Sequence, residues 1–221
     1  SAMSHELRTP IARTRFAIEM LPDADSSNER DRLQAMMGDD LEELDNLIDA
    51  SLTYSRFERE QPELNLTPVN LADWLNEEVD AIRILGRSLE LRVDCTALPP
   101  DLQVELDLKS MPYALTNLLR NALKYAKSRV VVSAEVNDKR ILVHVDDDGI
   151  GIPPEDRQRV FSAFTRLDRS RDRATGGYGL GLAIVRLVLE QHDGSAIADA
   201  SPLGGARFTL NWPLLHSVTQ S

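Results

Sequence analysis

The segment GGYGLGLAIV, residues 176–185, joins a glycine-rich loop directly to an apolar helix. Gly177, Gly179 and Gly181 occupy every second position, and the apolar residues that follow predict a helix from about Gly179 to His192. A flexible loop before a helix N-terminus offers free backbone N–H groups to an anion. The segment lacks the GxxxxGK[ST] phosphate loop, and its third glycine comes one place too early for the dinucleotide-binding fingerprint. It therefore predicts an anion site of another kind.

A second glycine motif, VDDDGIGIP, ends a predicted strand with acidic residues. Asp147, Gly149 and Gly151 have D-x-G-x-G spacing, and glycine lets the backbone come close to a flat ligand. The carboxylate of Asp147 could accept a hydrogen bond from an exocyclic amine such as that of adenine. An Asp-Gly pair also marks an ordinary turn, so this motif leaves both interpretations open.

The motif NLLRNALKY places three polar residues on one face of a predicted helix. Asn117, Asn121 and Lys124 follow each other at steps of four and three residues. They could form a solvated face, but the other positions are apolar, so we expect a mostly buried helix whose amides need partners. A hydrated Mg²⁺ with phosphates would supply those partners. Lys124 would add a charge for phosphate, and Tyr125 a ring that stacks on a base.

The residue pattern after about residue 61 predicts an α+β domain. QPELNLTPVNL, with two prolines, marks the boundary, and strands and helices then occur in separate runs, with neighbouring strands joined by hairpins such as the one at NDK. Residues 148–177 form a loop-rich stretch. This pattern favours an α+β two-layer sandwich. The predicted strands are LELRV, VELD, RVVVSAEV, RILVHVD, SAIADA and ARFTLNW, and the predicted helices run from Leu71 to Leu85, Met111 to Lys127 and Gly179 to His192.

The first 60 residues predict two amphipathic helices in an antiparallel hairpin. LPDADSSNE interrupts them with a proline and turn formers. One hairpin cannot bury both apolar stripes, so we expect it to pair with a second copy into a four-helix bundle or to pack on the rest of its own chain. We therefore divide the chain into domains at 1–60 and 61–221. The stripes are Met3, Leu7, Ile11, Thr14, Ile18 and Leu21 in the first helix, and Leu33, Met37, Leu41, Leu44, Ile48 and Leu52 in the second.

The motif SHELRTP opens the first helix with a group of reactive side chains. Helical geometry places His5 roughly 165° from the centre of the apolar stripe, so it faces solvent or something that arrives from solvent. A neutral imidazole is a competent nucleophile, although an incidental surface histidine is the alternative. Glu6 could orient the ring or take its proton, and Thr9 lies one turn along on the same face. Pro10 leaves the carbonyl of Glu6 without its helical partner and favours a bend.

Composition excludes some classes of function. The chain has 36 acidic and 25 basic residues, a net charge of −11. This argues against a general nucleic-acid binder. It does not argue against a nucleotide ligand, because nucleotide binding depends on the groups of the local site rather than on net charge. No apolar run approaches the roughly 18 residues of a membrane helix, and we expect the chain to be a piece of a longer protein.

Together, these motifs resemble the cytoplasmic core of bacterial two-component sensor histidine kinases. SHELRTP is similar to their H box, NLLRNALKY to the N box, DDGIG to the G1 box, FSAFTR to the F box, GGYGLGLAI to the G2 box and GGARF to a final glycine box. The order matches from Met3 to about Pro213. The RLDRSRDRATGG segment and the WPL ending are similar to those of RstB-type kinases, which partner OmpR-like regulators.

The resemblance implies a role for each matching residue. His5 is the autophosphorylated residue, Glu6 the acid that activates it, and Thr9 the residue that orients water when the regulator is dephosphorylated. Asn121 is the Mg²⁺ ligand, with Asn117 near the metal or the phosphates. Lys124 then meets phosphate, Tyr125 the base, and Asp147 the adenine amine. The other residues implied at the nucleotide are Gly149, Gly151, Phe164, Arg166, Arg173, Gly177, Gly179, Gly181 and Leu182, with Phe161 beside Phe164 as a lid anchor and Arg169 and Arg171 as further lid cations.

The resemblance also implies the fold and the activity. The second domain takes the Bergerat fold, an α/β two-layer sandwich shared with gyrase and Hsp90, preceded by the dimerising hairpin. Those ATPases carry a water-activating glutamate where this chain has Asn117, which disfavours a pure ATPase. The implied activity is an ATP-dependent histidine kinase that also dephosphorylates its regulator. A nucleotide-binding dimer scaffold without kinase activity is the alternative.

The implied cofactors and partners follow from the same family. They are ATP and Mg²⁺, a second copy of the chain, and the receiver domain of an OmpR-like response regulator, with no direct binding of nucleic acid. The full-length protein is expected at the cytoplasmic side of the bacterial inner membrane, anchored by segments outside this sequence, and the fragment itself is expected to be soluble. The stimulus, the regulator and cis or trans phosphorylation stay open.

Overall fold

The structure is a computed structural model that describes residues 2–59, 63–83, 89–167 and 178–214, with the side chains of residues 2 and 5 left aside. Its first part is an antiparallel helical hairpin of α1 (Ala2–Met20) and α2 (Ser27–Arg59). A single 3-10 turn, Leu21–Asp23, joins the helices. Ser26 begins α2 by accepting a hydrogen bond of 3.2 Å from the backbone N–H of Glu29. The predicted hairpin is therefore present.

The second part is a layer of strands covered by helices. The five-stranded sheet has the order β2-β4-β5-β7-β6, in which only the β2–β4 pair is parallel, and β1 pairs with β3 in a separate two-stranded sheet. The elements are β1 (Leu66–Asn70), α3 (Leu71–Ile82), β2 (Glu90–Asp94), β3 (Gln103–Asp107), α4 (Met111–Tyr125), β4 (Arg129–Asn137), β5 (Arg140–Asp147), α5 (Gly181–Gln191), β6 (Ser195–Ala200) and β7 (Ala206–Pro213).

One continuous core joins the sheet to the three helices. Alternate residues of β4 and β5 are fully buried, as Val132 and Val143 show, and Leu118 of α4 and Val188 of α5 pack in the same cluster. Period-two burial in the strands and one-sided burial in the helices are what a two-layer arrangement requires. The predicted α+β two-layer fold is confirmed. Among the described residues, no helix is both long and apolar enough to cross a membrane.

The β4–β5 hairpin forms where NDK predicts it. Asn137 pairs with Arg140, and the two residues between them, Asp138 and Lys139, both have positive φ (48° and 63°). Two such residues form a type I′ turn, whose twist matches that of the flanking strands.

Several elements differ from the predictions, among them α3, which ends at Ile82 rather than Leu85. Sequence reasoning missed β1, because its Pro68 suggests a linker. The proline is tolerated because β1, among the described strands, pairs with β3 alone and so has one edge without a partner strand. Helix α4 ends at Tyr125 rather than Lys127, because the carboxylate of Asp148 accepts the backbone N–H groups of residues 127–129 instead. Helix α5 begins at Gly181 rather than Gly179, whose φ of +70° is not helical.

Candidate nucleotide site

A cavity of about 800 Å³ lies between α4, the start of α5 and the loop after β5. Two residues of the hairpin helix α2, Asn46 and Ala50, also line it. The cavity therefore reaches from the sheet to the hairpin. The predicted site residues among its lining are Asn117, Asn121, Lys124, Tyr125, Asp147, Gly151, Arg166, Gly179, Gly181 and Leu182.

Asp147, the last residue of β5, is the buried carboxylate of the cavity. It is 2% exposed, and its Oδ1 accepts hydrogen bonds from the backbone N–H groups of Gly149 (2.8 Å) and Ala206 (3.1 Å). Burial raises the pKa of Asp147, although these two amides act in the opposite direction. Because Oδ1 is already used, Oδ2 is the oxygen left for a ligand that donates a hydrogen bond.

The final glycine box holds this carboxylate in place. A Cβ on Gly205 would lie 2.2 Å from Asp147 Oδ1 and 2.4 Å from the backbone nitrogen of Gly149. Only glycine lets the turn before β7 approach so closely. Gly205 of the box therefore makes room for the buried carboxylate.

Gly179 and Gly181 shape the opposite wall. Gly179 has a φ of +70°, and its carbonyl accepts a hydrogen bond of 2.9 Å from the backbone N–H of Phe164. A Cβ on Gly181 would lie 2.7 Å from Asn117 Oδ1. These two positions need glycine because one has left-handed backbone geometry and the other leaves room for an amide side chain.

The polar face of α4 offers donors and acceptors suited to a metal with phosphates. Asn117 Nδ2 donates to the carbonyl of Tyr113 at 2.7 Å, and Asn121 makes no hydrogen bond with any residue that the structure describes. Lys124 Nζ lies 4.9 Å from the centre of the Tyr125 ring and takes part in a further interaction as well. Residues 2–59, 63–83, 89–167 and 178–214 contain no cluster of three His, Cys, Asp or Glu residues suited to a metal. The amide oxygens of Asn117 and Asn121 are hard oxygen donors of the kind that Mg²⁺ accepts together with phosphates and water.

Some predicted residues lie away from the cavity lining. Gly149 packs against the carbonyl oxygen of Tyr125, which a Cβ added at this position would approach to 2.3 Å. Gly149 therefore lies behind the residues that line the cavity. Phe164 is fixed by its bond to Gly179 and is not in the lining either. Phe161 is buried and packs edge-on against Phe208, with ring centres 6.1 Å apart. The predictions for Arg169, Arg171, Arg173 and Gly177 fall outside the described residues.

The residues predicted on the hairpin are only partly described. His5 lies in the first turns of α1, but its side chain is outside the description. Glu6 and Thr9 are half-buried and do not line the cavity. Glu6 Oε2 lies 3.6 Å from a guanidinium nitrogen of Arg166, which does line it. In this arrangement Arg166 therefore links the cavity to the residue next to His5.

Two further contacts dock the α/β domain on α2. The hydroxyl of Tyr178 donates to the carbonyl of Glu43, and Gln191 Nε2 donates to the carbonyl of Phe57 at 3.1 Å. Burial, and then the carboxylates of Glu43, Glu42 and Glu6, raise the pKa of Tyr178 to about 12. Tyr178 therefore remains a hydrogen-bond donor at neutral pH.

Sequence reasoning missed several residues of the lining. Arg120 lies three residues after Asn117 and four before Lys124, so the spacing of the polar face could have revealed it. The apolar members carry no such signal, because apolar residues are common in any core. The missed residues are Asn46, Ala50, Arg120, Ile150, Ile152, Pro153, Glu155, Asp156, Arg159, Val160, Thr165, Leu167, Tyr178, Leu180, Ala206 and Phe208.

Known proteins match both halves of the chain. Residues 1–60 match the His Kinase A (phospho-acceptor) domain, and residues 107–216 match the histidine kinase-, DNA gyrase B-, and HSP90-like ATPase family. The sensor protein RstB of Escherichia coli K12 is 39% identical over 218 residues, which are 99% of this chain and 49% of RstB. The chain thus spans about half the length of the curated relatives it matches.

Solved structures agree with the fold. Full-length ShkA in complex with AMPPNP has a TM-score of 0.70 at 25% identity, covering 97% of this chain and 45% of ShkA. ThkA in complex with the response regulator TrrA has a TM-score of 0.79 at 22% identity, covering 96% of this chain and 60% of that one, a likeness that bears on the fold alone. The two domain matches in this order and the 39% identity to RstB over nearly the whole chain show that this chain belongs to the family of bacterial two-component sensor histidine kinases.

Proposed function

We propose that this chain is the kinase core of a two-component sensor, in which ATP phosphorylates His5 and the phosphoryl group passes to an aspartate of a response regulator. The observation that carries the proposal is a cavity with a buried carboxylate, Asp147, at the sheet and two residues of α2 at the hairpin. Such a cavity can hold a nucleotide by its base while its phosphates face the hairpin that bears the histidine.

Asp147 and Lys124 bind opposite ends of ATP, the adenine and the phosphates. The free oxygen of Asp147 accepts a hydrogen bond from the adenine amine, and Tyr125 offers an aromatic face to the base. Lys124 supplies positive charge to the phosphates. The similar structure of ShkA, solved in complex with AMPPNP, supports a nucleotide of this class.

Asn121 would hold Mg²⁺, with Asn117 beside it. The fit rests on an Asn121 amide without a hydrogen bond to any described residue and on the space that Gly181 leaves for the Asn117 oxygen. When bound, the ion neutralises charge on the phosphates of the nucleotide.

At the hairpin, a ring nitrogen of His5 attacks the terminal phosphorus, the bond to the oxygen of ADP breaks, and Glu6 takes the proton that the ring releases. This transfer relies on positioning and charge stabilisation more than on acid–base groups. In the described arrangement Glu6 pairs with Arg166, so that contact must loosen before Glu6 can act on the ring.

The phosphoryl group on His5 then passes to the receiver domain of a response regulator, which we place in the OmpR-like class. The same domain also dephosphorylates that regulator, with Thr9 orienting the attacking water. The similarity to RstB over nearly the whole chain supports this pairing.

The hairpin residues 1–60 form a homodimer, and residues 61–221 form the catalytic domain. Exposed apolar side chains of the hairpin support the dimer, because a single chain leaves Phe16 57% and Leu52 64% exposed. The full-length protein is anchored at the cytoplasmic side of the bacterial inner membrane, as its similarity to sensor proteins supports.

Incubation with γ-labelled ATP and Mg²⁺ tests the activity. Wild type should acquire an acid-labile label, His5→Ala should lose it, and Arg15→Ala, an exposed change on the same helix, should keep it. Equal labelling of wild type and His5→Ala would contradict the proposal. A wild type that binds an ATP analogue but takes no label, in this chain and in the longer protein, would favour the scaffold alternative.

A further inference from the structure

Arg120 differs from the other cations of the cavity. Arg159 pairs with Asp156 at 2.9 Å, Arg166 pairs with Glu6, and Lys124 lies over the Tyr125 ring. Arg120 lines the same cavity, is exposed, and makes no hydrogen bond, ion pair or ring contact with any residue in the described part of the chain. The cavity therefore contains a guanidinium whose charge no group among the described residues neutralises.

The direction of α4 places Arg120 on the hairpin side of Lys124. At the start of the helix the ring of Tyr113 packs edge-on against Phe57 of α2, with ring centres 5.6 Å apart. At its end the carbonyl of Tyr125 touches the turn that follows Asp147, at Gly149. A helix rises 1.5 Å per residue, so the backbone of Arg120 lies about 6 Å farther along the axis of α4 toward the end that contacts Phe57 than that of Lys124.

We infer that Arg120 binds the terminal phosphate of the nucleotide, the one that is transferred, while Lys124 serves the phosphates nearer the base. The inference rests on the proposed function, since it assumes that the base lies at Asp147 and that the transferred group must leave toward the hairpin. A guanidinium presents parallel N–H donors to two phosphate oxygens, a fit that an ammonium group lacks. Arg120 stands inside the NLLRNALKY motif, but the motif assigned roles only to Asn117, Asn121, Lys124 and Tyr125.

An acidic side chain of the hairpin is the competing ligand for Arg120. Asn46 and Ala50 of α2 line the cavity with it, and Glu43 lies about one turn before Asn46. Glu43 pairs instead with Arg13 across the hairpin, and Arg120 pairs with no acid of the described hairpin. The observed arrangement thus leaves the guanidinium to an anion that enters the cavity.

Binding of ATP, ADP and AMP, each with Mg²⁺, tests the inference by isothermal titration calorimetry. Wild type is compared with Arg120→Gln, Arg120→Lys and the control Arg92→Gln. Arg92 is 68% exposed on β2, is absent from the cavity lining, and its change removes the same charge from the same domain. Thermal unfolding of every variant establishes that each is folded.

We expect Arg120→Gln to weaken ATP about tenfold, the size of a charged hydrogen bond lost, and to change ADP less and AMP hardly at all. Arg120→Lys should recover part of the ATP affinity, and Arg92→Gln should resemble wild type. Equal losses for ATP, ADP and AMP, or no loss for ATP, would overturn the inference while leaving the proposed function intact. A wild type that binds none of the three would overturn the proposed function itself, and the assignment of Arg120 with it. If Arg120→Gln fails to fold, the affinities of Arg120→Lys for ATP, ADP and AMP test the inference instead: a loss confined mainly to ATP supports it, and equal losses overturn it.

Discussion

The helical hairpin and the α/β domain differ in how much of their apolar surface a single chain buries. In the α/β domain Leu118, Val143 and Leu210 are completely buried in one continuous cluster. In the hairpin Phe16 and Leu52 remain more than half exposed. The α/β domain therefore carries its own stabilising core, whereas the hairpin needs another surface. The difference teaches that stability and assembly are assigned to separate parts of the chain.

Truncating one apolar residue in each region, buried in one and exposed in the other, gives the largest contrast. We expect Leu210→Ala to lower the free energy of unfolding by about 2–5 kcal/mol, because it opens a cavity in the sheet layer. Ile48→Ala, at a position 47% exposed, should change the unfolding of the α/β domain by no more than about 0.5 kcal/mol but should weaken the hairpin dimer. Urea titration and analytical ultracentrifugation measure the two effects. Similar losses of domain stability in both variants would contradict the division.

Two glycine substitutions should act in opposite directions. Gly205→Ala places a Cβ 2.2 Å from Asp147 Oδ1, so the turn must shift and nucleotide binding should be lost together with at least about 1–3 kcal/mol of stability. Gly38→Ala in α2 meets nothing within 4 Å, and alanine's higher helix propensity should stabilise the hairpin by about 1 kcal/mol. Thermal unfolding and nucleotide titration test both. A destabilised Gly38→Ala would show that this helix surface is covered in the assembled protein.

The neighbouring carboxylates Asp147 and Asp148 should respond oppositely to pH. Burial raises the pKa of Asp147, so ionisation opposes folding, and Asp147→Asn should be at least as stable as wild type at neutral pH while losing adenine nucleotides. Hydrogen bonds, chiefly from Ser128, lower the pKa of Asp148, so Asp148→Asn should be less stable at neutral pH. The difference in free energy of unfolding between wild type and Asp148→Asn is fully present above pH 3.8, the ordinary pKa of the group, and disappears as the pH falls below it. Urea unfolding from pH 7 to acid measures both.

Parallel pH dependence of the two asparagine variants would contradict the assigned environments. An Asp147→Asn variant that keeps full affinity for adenine nucleotides would also contradict them. The asparagine NH₂ group would face either the adenine amine, which is itself a donor, or the two backbone N–H groups that the carboxylate accepts.

The smallest effect is expected at the contact between the two regions. Tyr178→Phe removes the hydroxyl that donates to the carbonyl of Glu43, at a cost of about 0.5 kcal/mol for a partly exposed neutral hydrogen bond. Tyr54→Phe is the matched control, because its hydroxyl contacts Glu58 of the same helix at 2.9 Å. Hydrogen exchange should quicken in the middle of α2 only for Tyr178→Phe. Equal changes in both variants would mean that the contact does not couple the regions.

Much of the fold could be predicted because the responsible patterns are local. The period-two runs of β4 and β5, the NDK turn and the apolar helix after the glycine loop are encoded by residues close in the chain. Some residues of the cavity could be predicted in the same way, because Asn117, Asn121 and Lys124 share one helix face. The missed strand β1 lacks such a pattern, since Pro68 hides it and pairing with β3, more than thirty residues away, creates it.

The sequence by itself determined the two regions, their helices and most strands, and the residue types of a nucleotide site, because periodicity and glycine spacing act over one or two turns. Only the tertiary structure decided that α2 lines the cavity and that Arg166 pairs with Glu6. It also decided that Gly205 packs against Asp147 and that the Arg120 side chain has no partner among the described residues. These relations join residues far apart in the chain. Packing, which no local pattern encodes, brings them together.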